Sequence, residues 1–370
     1  MVLLFTPQTF GHLTLPNRLV RSATAERMAD DDGHPRPEMA ALYQALARGG
    51  VGLIISGHMY VHPSGKAHPE MTGIYADELV PSLRKLTRAV HKEGGLVAAQ
   101  INHAGRKNDP SLKLEPIAPS AVEDSRISKR TSRALTAAEI EDLIDAFGQA
   151  ARRARQAGFD AVQIHSAHGY LNSQFLSPLT NHRTDEWGGS LPNRMRFLQR
   201  VVESVRRYVG EDYPIFTKLG MMDGIEGGLT LEEGARVVAA MGQMGLDAVE
   251  LSGGFGSKHF VNVRKGIRRE ADEAYFLKLA QKARQVTDLP LMLVGGFRSR
   301  TVMEKVLADG DADFISLCRP LINDPDFPNK LRAGTKQHSD CLSANNCWAT
   351  GPREGIACKC PLEKIATGEN

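Results

Sequence analysis

The stretch Asp160–Tyr170, DAVQIHSAHGY, decides how the rest of the chain is read. An apolar run, Ala161 to Ile164, gives way at once to His165, His168 and Tyr170. Two imidazoles and a phenol therefore emerge together at what reads as the C-terminal end of a buried β-strand. In a barrel of parallel strands, that end is where chemistry is done. Two neutral imidazoles side by side donate well to a carbonyl or nitro oxygen, and a nearby phenol can deliver a proton. A metal site or a pair of packed core histidines would use the same spacing, so the surrounding chain must decide.

Outward from this segment, short apolar runs alternate with amphipathic stretches. Strands are expected at Leu19–Thr24, Val51–Gly57, Leu96–Asn102, Ala161–Ser166, Ile215–Gly220, Ala248–Gly254, Leu291–Gly296 and Asp313–Cys318, each apolar enough to be buried on both faces. Helices are expected at Pro37–Ala47, Asp77–Lys92, Thr136–Ala157, Leu191–Tyr208, Thr230–Met244, Ala271–Val286 and Arg300–Ala308, several opened by a threonine cap and closed by glycine. Eight such strands with crossover helices fit a closed (β/α)8 TIM barrel of the α/β class. No Gly-x-Gly-x-x-Gly turn follows the first strand, which argues against a dinucleotide-binding half.

The 370 residues carry a formal charge of +3 and 24% charged side chains, too balanced to point to nucleic acid or a membrane surface. The opening MVLLFTPQTF lacks a basic n-region, and no run nears the ~18 apolar residues that span a bilayer. Five cysteines, four of them at or after Cys341, do not resemble a disulfide framework in so large a chain. The expectation is a cytoplasmic enzyme acting on a small molecule.

Two connections exceed what a plain barrel needs: His103–Leu135 after the third strand and Phe255–Glu270 after the sixth. Both are basic, with Lys113, Arg126, Lys129, Arg130 and Arg133 in the first and Lys258, Arg264, Lys265, Arg268 and Arg269 in the second. Solvated surface is the plain reading; attraction of an anionic substrate or phosphate-bearing reductant is the functional one. The seventh strand runs into Gly295-Gly296, and the eighth ends in Cys318-Arg319, which together suit a phosphate held beside strands seven and eight. Gln100 offers an amide to a donor–acceptor ring edge. Lys218 offers either a fixed cation to a ring anion or, alternatively, a Schiff-base amine.

At this point the chain resembles the old yellow enzyme family of FMN-dependent NAD(P)H oxidoreductases, in particular its bacterial ene-reductase and 2,4-dienoyl-CoA-reductase-like branches. The likeness runs over residues 4–333. It rests on Leu4-Phe5, Asn17-Arg18, Gln100–Lys107 (QINHAGRK), Ile164–Tyr170 (IHSAHGY), Phe175–Pro178 (FLSP), Asn181–Asn193 (NHRTDEWGGSLPN), Val294-Gly295-Gly296 and Arg319-Pro320-Leu321. The resemblance implies non-covalent FMN at the C-terminal face and dissociable NAD(P)H as reductant. It also implies His165 and His168 on the substrate oxygen, with Tyr170 as proton donor. Ser22, Ala23 and Thr24 would lie along the flavin, Gln100 at its pyrimidine edge, and Gly295, Gly296, Cys318 and Arg319 around its phosphate. Lys218 stands where many members have arginine. Thr24 or Ala25 stands where some have cysteine, and no tyrosine sits near Arg27.

Residues 1–333 are thus expected to form the FMN barrel and residues 334–370 a short extension containing Cys341, Cys347, Cys358 and Cys360. Longer relatives carry an iron–sulfur cluster at this place. Here the second ligand position is Ala344, and the one-residue gap between Cys358 and Cys360 is awkward, so a cluster is possible but not favoured and zinc is an alternative. With no room after the extension for further nucleotide-binding domains, electrons would come directly from the nicotinamide. A homo-oligomer is expected from the resemblance. The reaction expected is reduction of an electron-poor alkene. The alternatives are oxidative amine demethylation on the same barrel, a Lys218 lyase, and a flavin electron-transfer module.

Overall fold

Inward and outward side chains alternate along each long strand, and that alternation builds the molecule in layers. The structure, a computed structural model, describes residues 3–124, 130–258, 260–347 and 355–357. Eight parallel strands follow one another: β1 (Leu19–Arg21), β2 (Leu53–Ile55), β3 (Val97–Asn102), β4 (Ala161–Ser166), β5 (Ile215–Gly220), β6 (Ala248–Ser252), β7 (Leu291–Val294) and β8 (Phe314–Leu317). Each pairs with the next, and β8 pairs with β1, so the ring is closed. This is the (β/α)8 barrel expected from the sequence.

At the N-terminal end of the barrel the interior is hydrocarbon. Val20, Ile55, Ala98, Ala161, Phe216, Ala248, Met292 and Phe314 form one buried cluster. An antiparallel hairpin, Gln8–Phe10 with Leu13–Leu15, stoppers this end. The Phe10 ring lies 5.3 Å from Phe216 and 5.9 Å from Phe314, edge to face in both cases. Two residues further along the strands the interior turns polar, with Ser22, Gln100, Gln163, Lys218 and Glu250 all buried. The pleat thus places a polar floor above the apolar plug, and the mouth lies above that floor.

Outward strand faces pack on the crossover helices. The helix Ala137–Ala157 opens with a reciprocal capping box between Thr136 and Glu139 and closes at Gly158, φ 87°. The helix Leu231–Met241 opens the same way with Thr230 and Glu233. Strands β1, β2, β7 and β8 are shorter than the apolar runs suggested, and beyond β1, β7 and β8 the chain leaves the sheet so that Thr24, Gly296 and Cys318 line the mouth. The expected helix Ala271–Val286 begins only at Leu277. Ala274 adopts φ 47°, and the Tyr275 amide is drawn to the Gly295 carbonyl at 3.0 Å, which halts a helical start there.

The extension returns to the barrel mouth. The Ser339 amide donates to the Arg298 carbonyl at 2.9 Å, and the Ile356 amide to the Glu26 carbonyl at 2.8 Å. No helix among the described residues is long and apolar enough to cross a membrane.

Candidate active site

β4 ends at Ser166, and the chain then turns sharply through His168 (φ 59°) and Gly169 (φ 74°). A histidine in the left-handed region is uncommon and costs on the order of 1–3 kcal/mol, a strain that clusters at functional turns. Glycine is required next to it, since a Cβ on Gly169 would meet the Phe255 ring at 2.9 Å. The turn brings three rings together: His165 lies 5.2 Å from His168 and 4.9 Å from Tyr170. The Ala167 amide donates to His165 Nδ1 at 3.3 Å, which leaves the proton on Nε2. His168 Nε2 meets the Ser252 hydroxyl at 2.8 Å, so with that hydroxyl donating, Nδ1 carries the proton. Burial, the mutual proximity of the rings and the Lys218 and Lys107 ammoniums hold both histidines well below the usual imidazole range. Burial pushes the Tyr170 phenol up to about 12. At neutral pH the trio is therefore two uncharged N–H donors and one protonated phenol.

Below it, strand register assembles the floor. Gln163 stands opposite Gln100, and Lys218 opposite Glu250. The Gln100 amide donates to Gln163 Oε1 at 2.6 Å, and Gln163 donates to Glu250 Oε2 at 2.8 Å. Ser22 donates to Glu250 Oε1 at 2.7 Å and accepts from Lys218 Nζ at 2.7 Å. Lys218 and Glu250 form an ion pair at 3.0 Å. Burial alone would push the Glu250 carboxyl up, but Lys218 and the hydrogen bonds from Ser22 and Gln163 outweigh it and hold the carboxyl below its ordinary range. Lys218 faces inward, as a ring-anion partner must, but its charge is shared with a carboxylate.

The far side is basic. Gly296 (φ 77°) follows β7, and Cys318-Arg319 follows β8. Arg319 donates to the carbonyl of Arg264 at 2.7 Å and to Asn345 Oδ1 at 2.7 Å, so the extension fixes its guanidinium. Arg298 donates to the carbonyls of Ile267 and Ser339 at 2.7 and 2.9 Å. Cys318 Sγ is 3.1 Å from Thr24 Oγ1.

These residues enclose a cavity of about 480 Å³. Of the positions singled out in the sequence, Ser22, Ala23, Thr24, His168, Tyr170, Lys218, Gly296, Cys318 and Arg319 line it. Gln100 and His165 line a contiguous recess of about 120 Å³. Gly295 does not line it; it lies behind Tyr275. The walls also contain Arg27, His58, His68, Lys107, Ser252, Asn262, Tyr275 and Arg298, none of which the sequence reading assigned a role. His58 was findable: it stands three residues past Ile55, where a strand opens onto the mouth. None of the described basic loop residues lines the cavity, although Arg264 stacks on the lining Tyr275 ring at 4.7 Å. Arg133 pairs with Glu115 and Glu139, and Arg269 with Asp272, while Arg126 and Lys129 lie outside the described residues. The positive charge of the cavity comes from its own walls, and among the described residues no Asp or Glu lines it.

Cys341 and Cys347 are free and buried. Burial raises both thiols, Cys347 to about 11. Cys358 and Cys360 lie outside the described residues, and among those described no group of three or more ligating side chains is placed to hold a metal.

The family model described as "NADH:flavin oxidoreductase / NADH oxidase family" matches residues 3–338. The chain belongs to that family. It is 35% identical to an NADH oxidase of Thermoanaerobacter brockii, over 99% of this chain and 56% of the relative. It is 36% identical to an NADPH dehydrogenase of Bacillus subtilis, over 90% of this chain and 94% of the relative. The solved old yellow enzyme homologue of Zymomonas mobilis superposes with a TM-score of 0.79 at 31% identity, covering 91% of this chain and 94% of that one. The chain thus spans little more than half of the Thermoanaerobacter protein and nearly all of the other two. FMN and NAD(P)H are the cofactors of this family. The cavity fits FMN on its own evidence. Buried Ser316 Oγ, Asn262 Oδ1 and Arg298 Nε, all on its lining residues, have no protein partner, as expected where a polar ligand completes them.

Proposed function

We propose that the protein is an FMN-dependent NAD(P)H oxidoreductase that reduces an electron-poor alkene, an enone or enoyl-type compound. The observation that carries this reading is the grouping of two uncharged imidazoles and a protonated phenol over a cavity whose floor holds Lys218. Gly296, Cys318, Arg319 and Arg298 would hold the FMN phosphate, with Gly295 shaping the turn. Ser22, Ala23 and Thr24 would support the ring, with Gln100 and Lys218 at its polar edge. Bound there, FMN supplies a hydride received from NAD(P)H.

His165 Nε2–H and His168 Nδ1–H then hold the substrate's carbonyl oxygen and draw electron density from its β-carbon. Removing one such preorganised donor costs about 10²–10³ in rate. Tyr170 delivers the proton to the α-carbon. Ser252 sets the tautomer of His168, a positioning role that needs no contact with substrate.

Residues 1–333 supply this machinery in our reading. The extension, 334–370, braces Arg319 and Arg298; a cluster or zinc on its four cysteines is not favoured. We also place the protein in the cytoplasm as a homo-oligomer. Two rivals fit less well. The Lys218 ammonium is already paired with Glu250 and is not an available nucleophile for a lyase. A cationic amine would meet Arg27, Lys107 and Arg298 without a lining carboxylate. The test is a panel of enones and amines offered to the FMN-loaded protein with NADPH and with NADH. Reduction of enones supports the proposal; amine oxidation without enone reduction rejects it.

A further inference from the structure

We infer that His58 and His68 form a second recognition point in this cavity, one that takes a carboxylate carried by the substrate. The inference rests on the enone-reductase reading for what the substrate is, but not for how the anion is held. The two rings lie 5.5 Å apart on the connection after β2 and line the cavity together. His58 is 5.1 Å from Tyr170 and 6.2 Å from His165, so the pair adjoins the oxygen-holding trio within the span of one small molecule.

Asn102 donates its amide to His58 Nδ1 at 2.9 Å, which places the proton on Nε2, and among the described residues none accepts from it. Only 8% of His68 is exposed, and neither ring nitrogen has a partner in the protein. Uncharged, His68 brings one N–H donor and one bare nitrogen, so the wall holds buried polar atoms in want of partners. The charges nearby choose the acceptor. Arg27 lines the same wall, and so does Lys107, whose ammonium donates to the His168 carbonyl at 2.7 Å. Glu70 lies 4.0 Å from Arg27 and is not among the cavity's lining residues. Burial, Lys107 and Arg27 keep His58 uncharged, its pKa lowered to about 4. An ammonium group would meet Arg27 and Lys107 here, with no carboxylate among the cavity's described lining residues. A carboxylate finds imidazole donors in the same wall and a positive field around them.

The test reads binding without turnover. Oxidised, FMN-loaded protein is titrated with 4-oxocyclohex-2-ene-1-carboxylate and with its methyl ester, following the change in flavin absorption. The acid should bind about tenfold more tightly than the ester, the scale of one charge-assisted hydrogen bond. In His68→Leu the two should bind within about twofold of each other. Equal binding by the unaltered protein, no spectral response to either compound, or a tenfold preference that survives in His68→Leu each overturns the inference. If His68→Leu cannot be obtained with FMN, His58→Leu replaces it in the same comparison, with the same outcomes deciding. A preference for the acid with no turnover of either compound would reject the reductase reading and leave the carboxylate site standing.

Discussion

Lys218 and Glu250 stand opposite each other on β5 and β6, paired at 3.0 Å, and Ser22 hydrogen-bonds to both. A lone lysine here would be a buried charge with nothing to compensate it. Paired, it is a fixed dipole beneath the ring site, with Gln163 and Gln100 carrying the hydrogen-bond chain to the opposite wall.

Removing one partner of a buried pair leaves the other uncompensated and costs about 3–5 kcal/mol. Glu250→Leu should therefore lower stability by that amount in denaturant unfolding. The same pair gives an acid limb with a definite sign. The folded-state pKa of Glu250 is depressed, so its contribution is complete above the ordinary glutamate pKa of about 4.3 and is lost as pH falls through the lower folded value. The variant should lose stability less steeply below pH ~4 than the parent; an identical acid limb would show that Glu250 is not ionised in the fold.

The histidine pair should govern turnover rather than cofactor retention. His165→Ala with His168→Ala should reduce kcat for 2-cyclohexenone by at least about 10³, with the flavin-to-protein absorbance ratio held. Normal turnover in the double variant would remove the proposed mechanism.

No catalytic group ionises near neutrality in this arrangement. Both histidines titrate well below their usual range and Tyr170 at about 12. For an uncharged enone, kcat should be level between about pH 6 and 9. An acid limb near the ordinary histidine value that vanishes in the His165 variant would mean that an imidazolium forms during the cycle. Tyr170→Phe should lower kcat by about 10² or more without introducing a new limb.

Phe10 is the stopper of the barrel, and Phe10→Ala should cost about 3–5 kcal/mol of stability through the hole it opens between Phe216 and Phe314. Thermal unfolding of the FMN-loaded protein checks this. A change below about 1 kcal/mol would show that the hairpin is not packed into the tube.

Much of this was legible in the chain because strand order and strand ends are local properties. Apolar runs placed all eight strands, and the residues at or just past their ends (His165, His168, Tyr170, Cys318, Arg319) meet at the mouth. Whether Lys218 pointed in or out was not legible, since every residue of β5 is buried on one face or the other. Its partner Glu250 lies 32 positions away, joined only by register. Histidines 58 and 68 were passed over for the same reason: nothing local to either shows that a 5.5 Å contact will bring them together. The charge of the two long loops was a poor guide to the charge of the cavity. In the basic loops Arg133 and Arg269 pair with nearby carboxylates, while the cationic residues lining the cavity are scattered over five strand ends.

The hydrocarbon plug around Phe10 has a kinetic consequence. With the tube sealed below, everything that reaches the ring must arrive and depart through one doorway. In the reaction proposed above, the spent nicotinamide would have to vacate before the electron acceptor enters, and the two reactants would compete for a single berth. Steady-state plots at varied acceptor should run parallel rather than intersect, and excess of either reactant should slow the cycle by occupying the other's turn.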